Sequence, residues 1–235
     1  MNIQDAINDL QAQLTAAAVP EKAPQMAAYM KTDMPFYGVN APAIKVMVRD
    51  LKKKFVPQDA QEHRDYIQAL WALPYREEKY VAIDMAKAWK NWIDADHLDL
   101  YRQWIEEGAW WDLVDDIAYY LVGGAYLKDR EKVGPIMDEW IRDPHLWIRR
   151  AAILCQLRHK KETDAVRLYE YCLRSAHEKD FFIRKAIGWA LRQYSRSEPE
   201  SVHEFLTTHR KELSNLSFKE GSRILIKNGW SFEET

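Results

Sequence analysis

Two cysteines in 235 residues, Cys155 and Cys172, are too few for a disulfide framework. They form no Cys-x-x-Cys pair of the kind that binds zinc or carries redox chemistry. Glycine (8) and proline (9) are scarce, which weighs against a turn-rich β-sandwich and leaves no glycine-rich phosphate loop. No apolar run reaches the ~18 residues that a membrane span needs. The opening MNIQDAINDLQAQL reads as the start of an amphipathic helix and not as a secretory signal. With so few thiols, a reducing cytoplasmic setting is the default expectation. The seven histidines show no His-Glu-x-x-His or other metal-ligand spacing, so they are expected at the surface, with no metal and no cofactor. Excess charge of one sign is also missing. The formal net charge is −2, and composition alone does not announce a nucleic-acid binder.

What is present points to helices. Hydrophobic residues make up 47% and charged residues 30%, enough for a sizeable core and too apolar for disorder. Apolar residues recur at i, i+3, i+4 and i+7 along the chain, and period-two alternation is nearly absent. The spacing predicts around twelve or thirteen helices of about 10–17 residues. Asn40-Ala41-Pro42 and Asp143-Pro144 read as N-caps followed by a first-turn proline. Pro20, Pro74, Pro135 and Pro199 read as boundaries, and Gly108 and Gly123-Gly124 as helix stops. No linker or low-complexity stretch divides the sequence, so one domain over 1–235 is expected.

Charge is unevenly spread. Residues 101–140 hold 4 Lys/Arg against 9 Asp/Glu, and residues 141–200 hold 13 against 8. An acidic block beside a basic one fits a solvated surface, and equally a basic face next to a functional acid.

An internal repeat gives the blocks an order. Ile148-Arg149-Arg150-Ala151-Ala152 matches Ile183-Arg184-Lys185-Ala186-Ile187 at an offset of 35. The same offset lands backward on Leu113-Val114-Asp115-Asp116-Ile117 and forward, more weakly, on Phe218-Lys219-Glu220-Gly221-Ser222. A period of roughly 35–40 residues with two helices per unit is the signature of an α-solenoid, because one helix pair cannot bury its own apolar stripe. Asp115, Arg150 and Lys185 then occupy equivalent positions, about one helix-pair spacing (~10 Å) apart, as a charged ladder on the inner side. The plainer reading of that ladder is a solvated stripe with an Asp115–Arg150 salt bridge.

The ten tryptophans sharpen the picture. Trp71, Trp89, Trp92, Trp104 and Trp140 keep helical spacing with apolar neighbours and are expected in the core. Trp111 stands four residues before Asp115, and Trp189 four after Lys185, each on the same helix face as its charged partner. Core packing is the plain reading of each indole alone. Together they describe a surface with two π faces, one carboxylate and two cations. Indole faces attract cationic groups. A carboxylate stabilises positive charge on a sugar as a glycosidic bond breaks. Arg and Lys hold phosphates. The set fits a nucleic-acid backbone with a cationic leaving base, and also an acidic peptide held on a scaffold. Lys52-Lys53-Lys54 reads as a solvated helix end, and Cys155 in AAILCQL as a buried thiol.

Three motifs carry a resemblance. Ala109-Trp110-Trp111-Asp112-Leu113-Val114-Asp115-Asp116-Ile117 resembles the WWDxVD motif of the AlkD-type DNA alkylation-repair glycosylases. Leu146-Trp147-Ile148-Arg149-Arg150-Ala151-Ala152-Ile153-Leu154 is similar to their WxxRAAIL stretch, and residues 181–192, FFIRKAIGWALR, to their FFIxKAIGWxLR stretch. Met26-Ala27-Ala28-Tyr29-Met30-Lys31 resembles their MAxYMK. The likeness covers nearly the whole chain, with its motifs in order.

The resemblance implies an all-α solenoid of HEAT-like helical repeats with a concave DNA-binding face. It implies a monomeric, monofunctional glycosylase that removes positively charged N3- and N7-alkylated purines from double-stranded DNA, without cofactor or metal. By position, Asp115 is the catalytic carboxylate, and Trp111 and Trp189 line the lesion site. Arg150 contacts DNA near the lesion, Lys185 a phosphate, and Tyr29 the same cleft. Asn40, Lys45 and Arg158 fall at DNA-contacting positions, although Asn40-Ala41 and Lys45 stand where part of the family has Gln-Thr and Arg. The neighbouring Arg150 is expected to favour the ionised form of Asp115. A HEAT-like module that binds DNA structure without catalysis is the alternative.

Overall fold

In the computed structural model, which describes residues 1–232, side-chain caps open one helix after another. Asn2, Asn40, Asp59, Asp129, Asp164, Asp180 and Ser214 each accept a hydrogen bond from a backbone N–H of the first turn that follows. A first-turn N–H has no partner within its own helix, so these polar residues fix the starts. No strand occurs among the described residues, and none of their helices is long and apolar enough to cross a membrane.

The chain forms two compact units, Met1–Ile93 and Asp94–Thr235. The first contains α1 (Ile3–Ala16), α2 (Ala23–Met30), α3 (Ala41–Lys54), α4 (Ala60–Trp71), α5 (Arg76–Ala88) and a 3₁₀ turn at Lys90–Trp92. Leu10, Leu14, Leu51, Phe55, Tyr66, Ile67 and Leu70 fill its core. A buried carboxylate organises the approach to α3. Glu77 accepts hydrogen bonds from the backbone N–H groups of Gly38 (2.9 Å) and Val39 (3.0 Å) through Oε1 and of Tyr37 (3.1 Å) through Oε2. Gly38 lies at φ +84°, and a side chain there would meet the Val19 carbonyl. Glu77→Gln replaces one acceptor oxygen by a donor and faces it toward N–H groups. It is expected to cost about 2 kcal/mol and lower the melting temperature by roughly 4–8 °C, read by thermal denaturation. An unchanged melting temperature would show that the cage contributes nothing.

The second unit contains a 3₁₀ turn at Ala95–His97, then α6 (Leu98–Gly108) and α7 (Trp111–Asp116). A π-helical turn, Ile117–Val122, runs directly into α8 (Gly123–Lys128). There follow α9 (Arg130–Trp140), α10 (Leu146–Leu154), a 3₁₀ turn at Lys160–Glu162, α11 (Ala165–Arg174), α12 (Phe181–Tyr194), α13 (Pro199–Thr208) and α14 (Asn215–Lys227). α10 is the centre. Trp147, Ile148 and every residue from Arg150 to Leu154 are buried, and the helix packs against α6, α7, α9, α11, α12 and the π turn. A helix apolar on nearly all sides has to be enclosed by others. The helices are shorter than the periodicity predicts, from 6 to 14 residues.

Several expectations need correction. Gly123-Gly124 does not stop a helix. The chain stays helical from Trp111 to Lys128, and Gly123 instead lets the Cys155 carbonyl approach, where a Cβ would lie 2.0 Å from that oxygen. Pro135 lies inside α9 and not at a boundary. It forfeits one backbone bond, while Val133, Met137 and Trp140 are buried around it and hold the helix together. The cap read at Asp143 lies two residues too early, since α10 is capped at His145 and starts at Leu146. Three histidines are buried rather than exposed. His63 packs against Trp92 and Trp89, His97 pairs with Asp94, and His159 donates from Nε2 to the Gly123 carbonyl at 2.8 Å. Burial lowers the His159 pKa. Trp71, Trp104 and Trp140 are core, but Trp89 and Trp92, which follow the end of α5, are only half-buried. Both cysteines are free and buried, and burial pushes the Cys155 thiol up to about 12.

Candidate functional site

α7 begins at Trp111, immediately after the extended Trp110, and Asp115 follows one turn later on the same face. Asp115 is 8% exposed. From α10, Arg150 reaches it as a two-pronged fork, with Nε to Oδ1 and Nη2 to Oδ2 both at 2.8 Å. The third guanidinium nitrogen, Nη1, donates to the Phe182 carbonyl. The guanidinium also lies 6.0 Å from the Trp147 ring and 5.8 Å from the Phe182 ring. Phe182, Trp147 and Trp110 pack on one another with centroids 4.9–5.7 Å apart and wall in the pair.

Burial pushes the Asp115 carboxyl above the ordinary aspartate value. Arg150 opposes this, and Asp116 and Asp112 add to it. The expectation that Arg150 favours the ionised form holds for its own contribution, but desolvation outweighs it. The geometry still requires charge on the acid. An arginine only donates, so a protonated Asp115 would have to give up one of the two fork bonds.

α12 supplies Lys185, Trp189 and Arg192 at i, i+4 and i+7, on one face. α14 supplies Glu220. Its Oε1 accepts from Lys185 Nζ at 2.7 Å, and its Oε2 accepts from Arg192 Nη1. Gly188 makes this approach possible, since a Cβ there would lie 2.5 Å from that of Glu220. Lys185, together with the other nearby cations, holds the Glu220 carboxyl below its ordinary value.

Trp111, Asp115, Arg150, Phe181, Phe182, Lys185, Trp189, Arg192 and Glu220 line one cavity of about 380 Å³. Three cations face two carboxylates there, leaving one positive charge in excess. The ladder read from the 35-residue offset is physically present. Asp115 pairs with Arg150 and Lys185 with Glu220, each across 35 residues. The salt bridge of the plainer reading and the shared cavity of the functional one therefore coexist.

A second cavity of about 200 Å³, between the C-terminal turns of α10 and α12, is lined by Lys160 and Arg196 but by no acid and no indole. No cluster of metal-ligating side chains occurs among the described residues.

The remaining candidates lie elsewhere. Arg158 does not line the large cavity. It stacks on Tyr120 at 4.3 Å and donates to its hydroxyl at 2.9 Å. Its neighbour in the π turn, Tyr119, donates to Asp116 and sets its ring edge against Trp189 at 6.0 Å. π turns are rare and often mark functional sites. Tyr29, Asn40 and Lys45 belong to the first unit. Tyr29 is 71% exposed, Lys45 is exposed, and Asn40 caps α3 by accepting from the Ala43 N–H at 3.0 Å.

Sequence reading missed Arg192, Glu220 and the two phenylalanines. Glu220 was within reach, because it sits one repeat beyond Lys185. The match there is weak at every position except the spacing.

An all-helical chain whose successive repeats bring an acid, cations and two indoles to one cavity defines a helical-repeat protein with a prepared polar site. The chain belongs to the DNA alkylation repair enzyme family, whose model matches residues 10–225. It is also similar to a solved structure described as a predicted DNA alkylation repair enzyme from Enterococcus faecalis. The two are 32% identical with a TM-score of 0.80, over 89% of this chain and 97% of that one. No curated protein matches the chain.

Proposed function

We propose that this protein is a monofunctional DNA glycosylase that hydrolyses the N-glycosidic bond of cationic N3- and N7-alkylated purines in duplex DNA. One observation carries the reading. A buried carboxylate, Asp115, faces the same cavity as Trp111 and Trp189, with its orientation set by the Arg150 fork.

Alkylation at N3 or N7 puts a positive charge on the purine and weakens its bond to the sugar. As the bond breaks, its electron pair leaves with the base, which becomes neutral, and positive charge moves to the deoxyribose. A fixed carboxylate in a desolvated wall stabilises that charge better than water does. Each Asp115 oxygen retains a lone pair beyond its bond to Arg150. One of these orients the attacking water and takes its proton as the water oxygen replaces the base. The indoles bind the cationic sugar and lesion through their π faces. Lys185 serves phosphate contact in this reading. Arg150 keeps two of its five N–H groups for a backbone oxygen. Arg158, Tyr29, Asn40 and Lys45 extend the hold on DNA. The enzyme is proposed to work as a HEAT-like monomer without a cofactor.

The test is incubation with methylated duplex DNA and measurement of free 3-methyladenine and 7-methylguanine. Release above background, leaving abasic sites without strand cleavage, is expected.

One observation favours a second reading. Both Asp115 oxygens are already engaged by Arg150, as in a structural ion pair. A module that binds DNA without catalysis would bind duplex DNA with a strong salt dependence and release no base.

A further inference from the structure

Glu220 and Arg192, which pair beside Lys185, are the part of the cavity that the glycosylase reading leaves unexplained. Glu220 is enclosed, with 18% of its side chain exposed, and it is shared by two cations of one helix face. Lys185 stands one turn before Trp189, and Arg192 nearly one turn after it.

Lysine has three N–H donors and arginine five. Glu220 accepts one from each in the contacts described. The trio carries a net charge of +1, and N–H groups remain to offer an anion.

The arrangement is built by packing. Gly188 is the only residue type that lets α14 come this close, because any Cβ there would collide with the Glu220 Cβ and, at 2.8 Å, with the Ser217 carbonyl. Ser217 in turn donates its hydroxyl to the Arg184 carbonyl at 3.0 Å, tying α14 to α12 one residue from Lys185. A carboxylate fixed this way lowers the charge of the pair from +2 to +1. Its return is that two flexible side chains are held in one place on either side of Trp189.

We infer that Lys185 and Arg192 form a two-cation clamp for a single phosphodiester, with Glu220 as the positioning residue that presents both cations. The inference rests on the glycosylase reading for the identity of the anion, a DNA phosphate next to the reacting sugar. A diester with one negative charge neutralises the trio. It also anchors the backbone against the Trp189 face while the Asp115 wall acts on the sugar.

The clamp makes opposite demands on binding and on rate, which a merely structural Glu220 does not. Glu220→Gln removes the shared charge and raises the trio to +2. Undamaged duplex is then expected to bind roughly two- to fivefold more tightly at low salt. The single-turnover excision rate at saturating DNA is expected to fall about ten- to a hundredfold, because the cations no longer hold the phosphate in register. Glu220→Asp restores the charge but not the reach, and is expected to return the affinity without the rate. Arg192→Gln is expected to reduce the slope of log K against log salt by up to about 1.

Thermal denaturation of each variant reports folding, and rates are compared at a temperature where all are folded. A wild-type rate at saturation in Glu220→Gln overturns the positioning role. An unchanged salt slope in Arg192→Gln overturns the clamp. If the wild-type protein releases no base, yet Arg192→Gln lowers the slope, the clamp stands and the glycosylase reading falls.

Discussion

Asp115→Asn is expected to lower the excision rate by about 10²- to 10³-fold, the range seen when a preorganised charge-stabilising group is removed from a desolvated site. Binding of the same protein to undamaged duplex is expected to change little, since Asp115 touches no phosphate in the proposed arrangement. The substitution also has a structural cost. Arg150 is 4% exposed and both of its fork bonds end on the lost carboxylate. Asparagine keeps one acceptor oxygen, so Arg150 loses one of its two bonds to residue 115. Excision therefore has to be measured where the variant is still folded, as single-turnover release of 7-methylguanine. Wild-type release by folded Asp115→Asn protein would remove this carboxylate from the mechanism and leave the non-catalytic reading in its place.

The pH dependence follows from the same residue. Its folded pKa lies above the ordinary aspartate value because of burial. The ionised form is the active one, so the rate is expected to fall on acidification through a midpoint above ~3.9, the value for an unperturbed aspartate. Stability moves the other way. A raised folded pKa favours folding below the unfolded value, and this contribution is lost as pH rises through the folded one. The rate loss in acid is thus a local titration and not unfolding at this group, and Asp115→Asn should abolish that limb.

Gly123→Ala has the second large expected effect, and its sign is informative. In an ordinary helix interior the change stabilises, by roughly 0.5–1 kcal/mol, because alanine is the better helix former. At Gly123 the new Cβ would lie 2.0 Å from the Cys155 carbonyl oxygen and 3.2 Å from its carbon. Both are backbone atoms of the turn that ends α10, so no side chain can move aside. The Gly123 carbonyl is meanwhile tied to His159. Destabilisation of about 3 kcal/mol is expected, lowering the melting temperature by roughly 6–12 °C. The joint lies just after the π turn that carries Tyr119 and Tyr120, so excision is expected to fall with it. A more stable Gly123→Ala protein would show that the close approach is not a constraint.

The histidines and glycines show where local reading ends. His63, His97 and His159 look like surface residues in sequence because imidazole carries no spacing signal by itself. They are buried because aromatic rings, Asp94 and the Gly123 carbonyl happen to surround them. Gly123 and Gly188 have the local signature of stops or weak spots. Their role is set by a helix 32 residues away in each case, Cys155 for one and Glu220 for the other. Pro135 likewise reads as a boundary until neighbouring helices bury the residues around it.

The amino-acid order alone was sufficient for the helical class, for the Asn40 cap and for the 35-residue repeat. It also placed Asp115, Arg150, Lys185, Trp111 and Trp189 as one set. Each of these depends on contacts between residues a few positions apart, or on a period that repeats them. The tertiary structure decided what the set does electrostatically. It buried Asp115 so that desolvation outweighs its arginine, brought Glu220 and Arg192 to the same cavity, and left Arg158 outside it on Tyr120. Those outcomes depend on close helix approaches, of α8 to the end of α10 and of α12 to α14, and the missing Cβ atoms of Gly123 and Gly188 permit them.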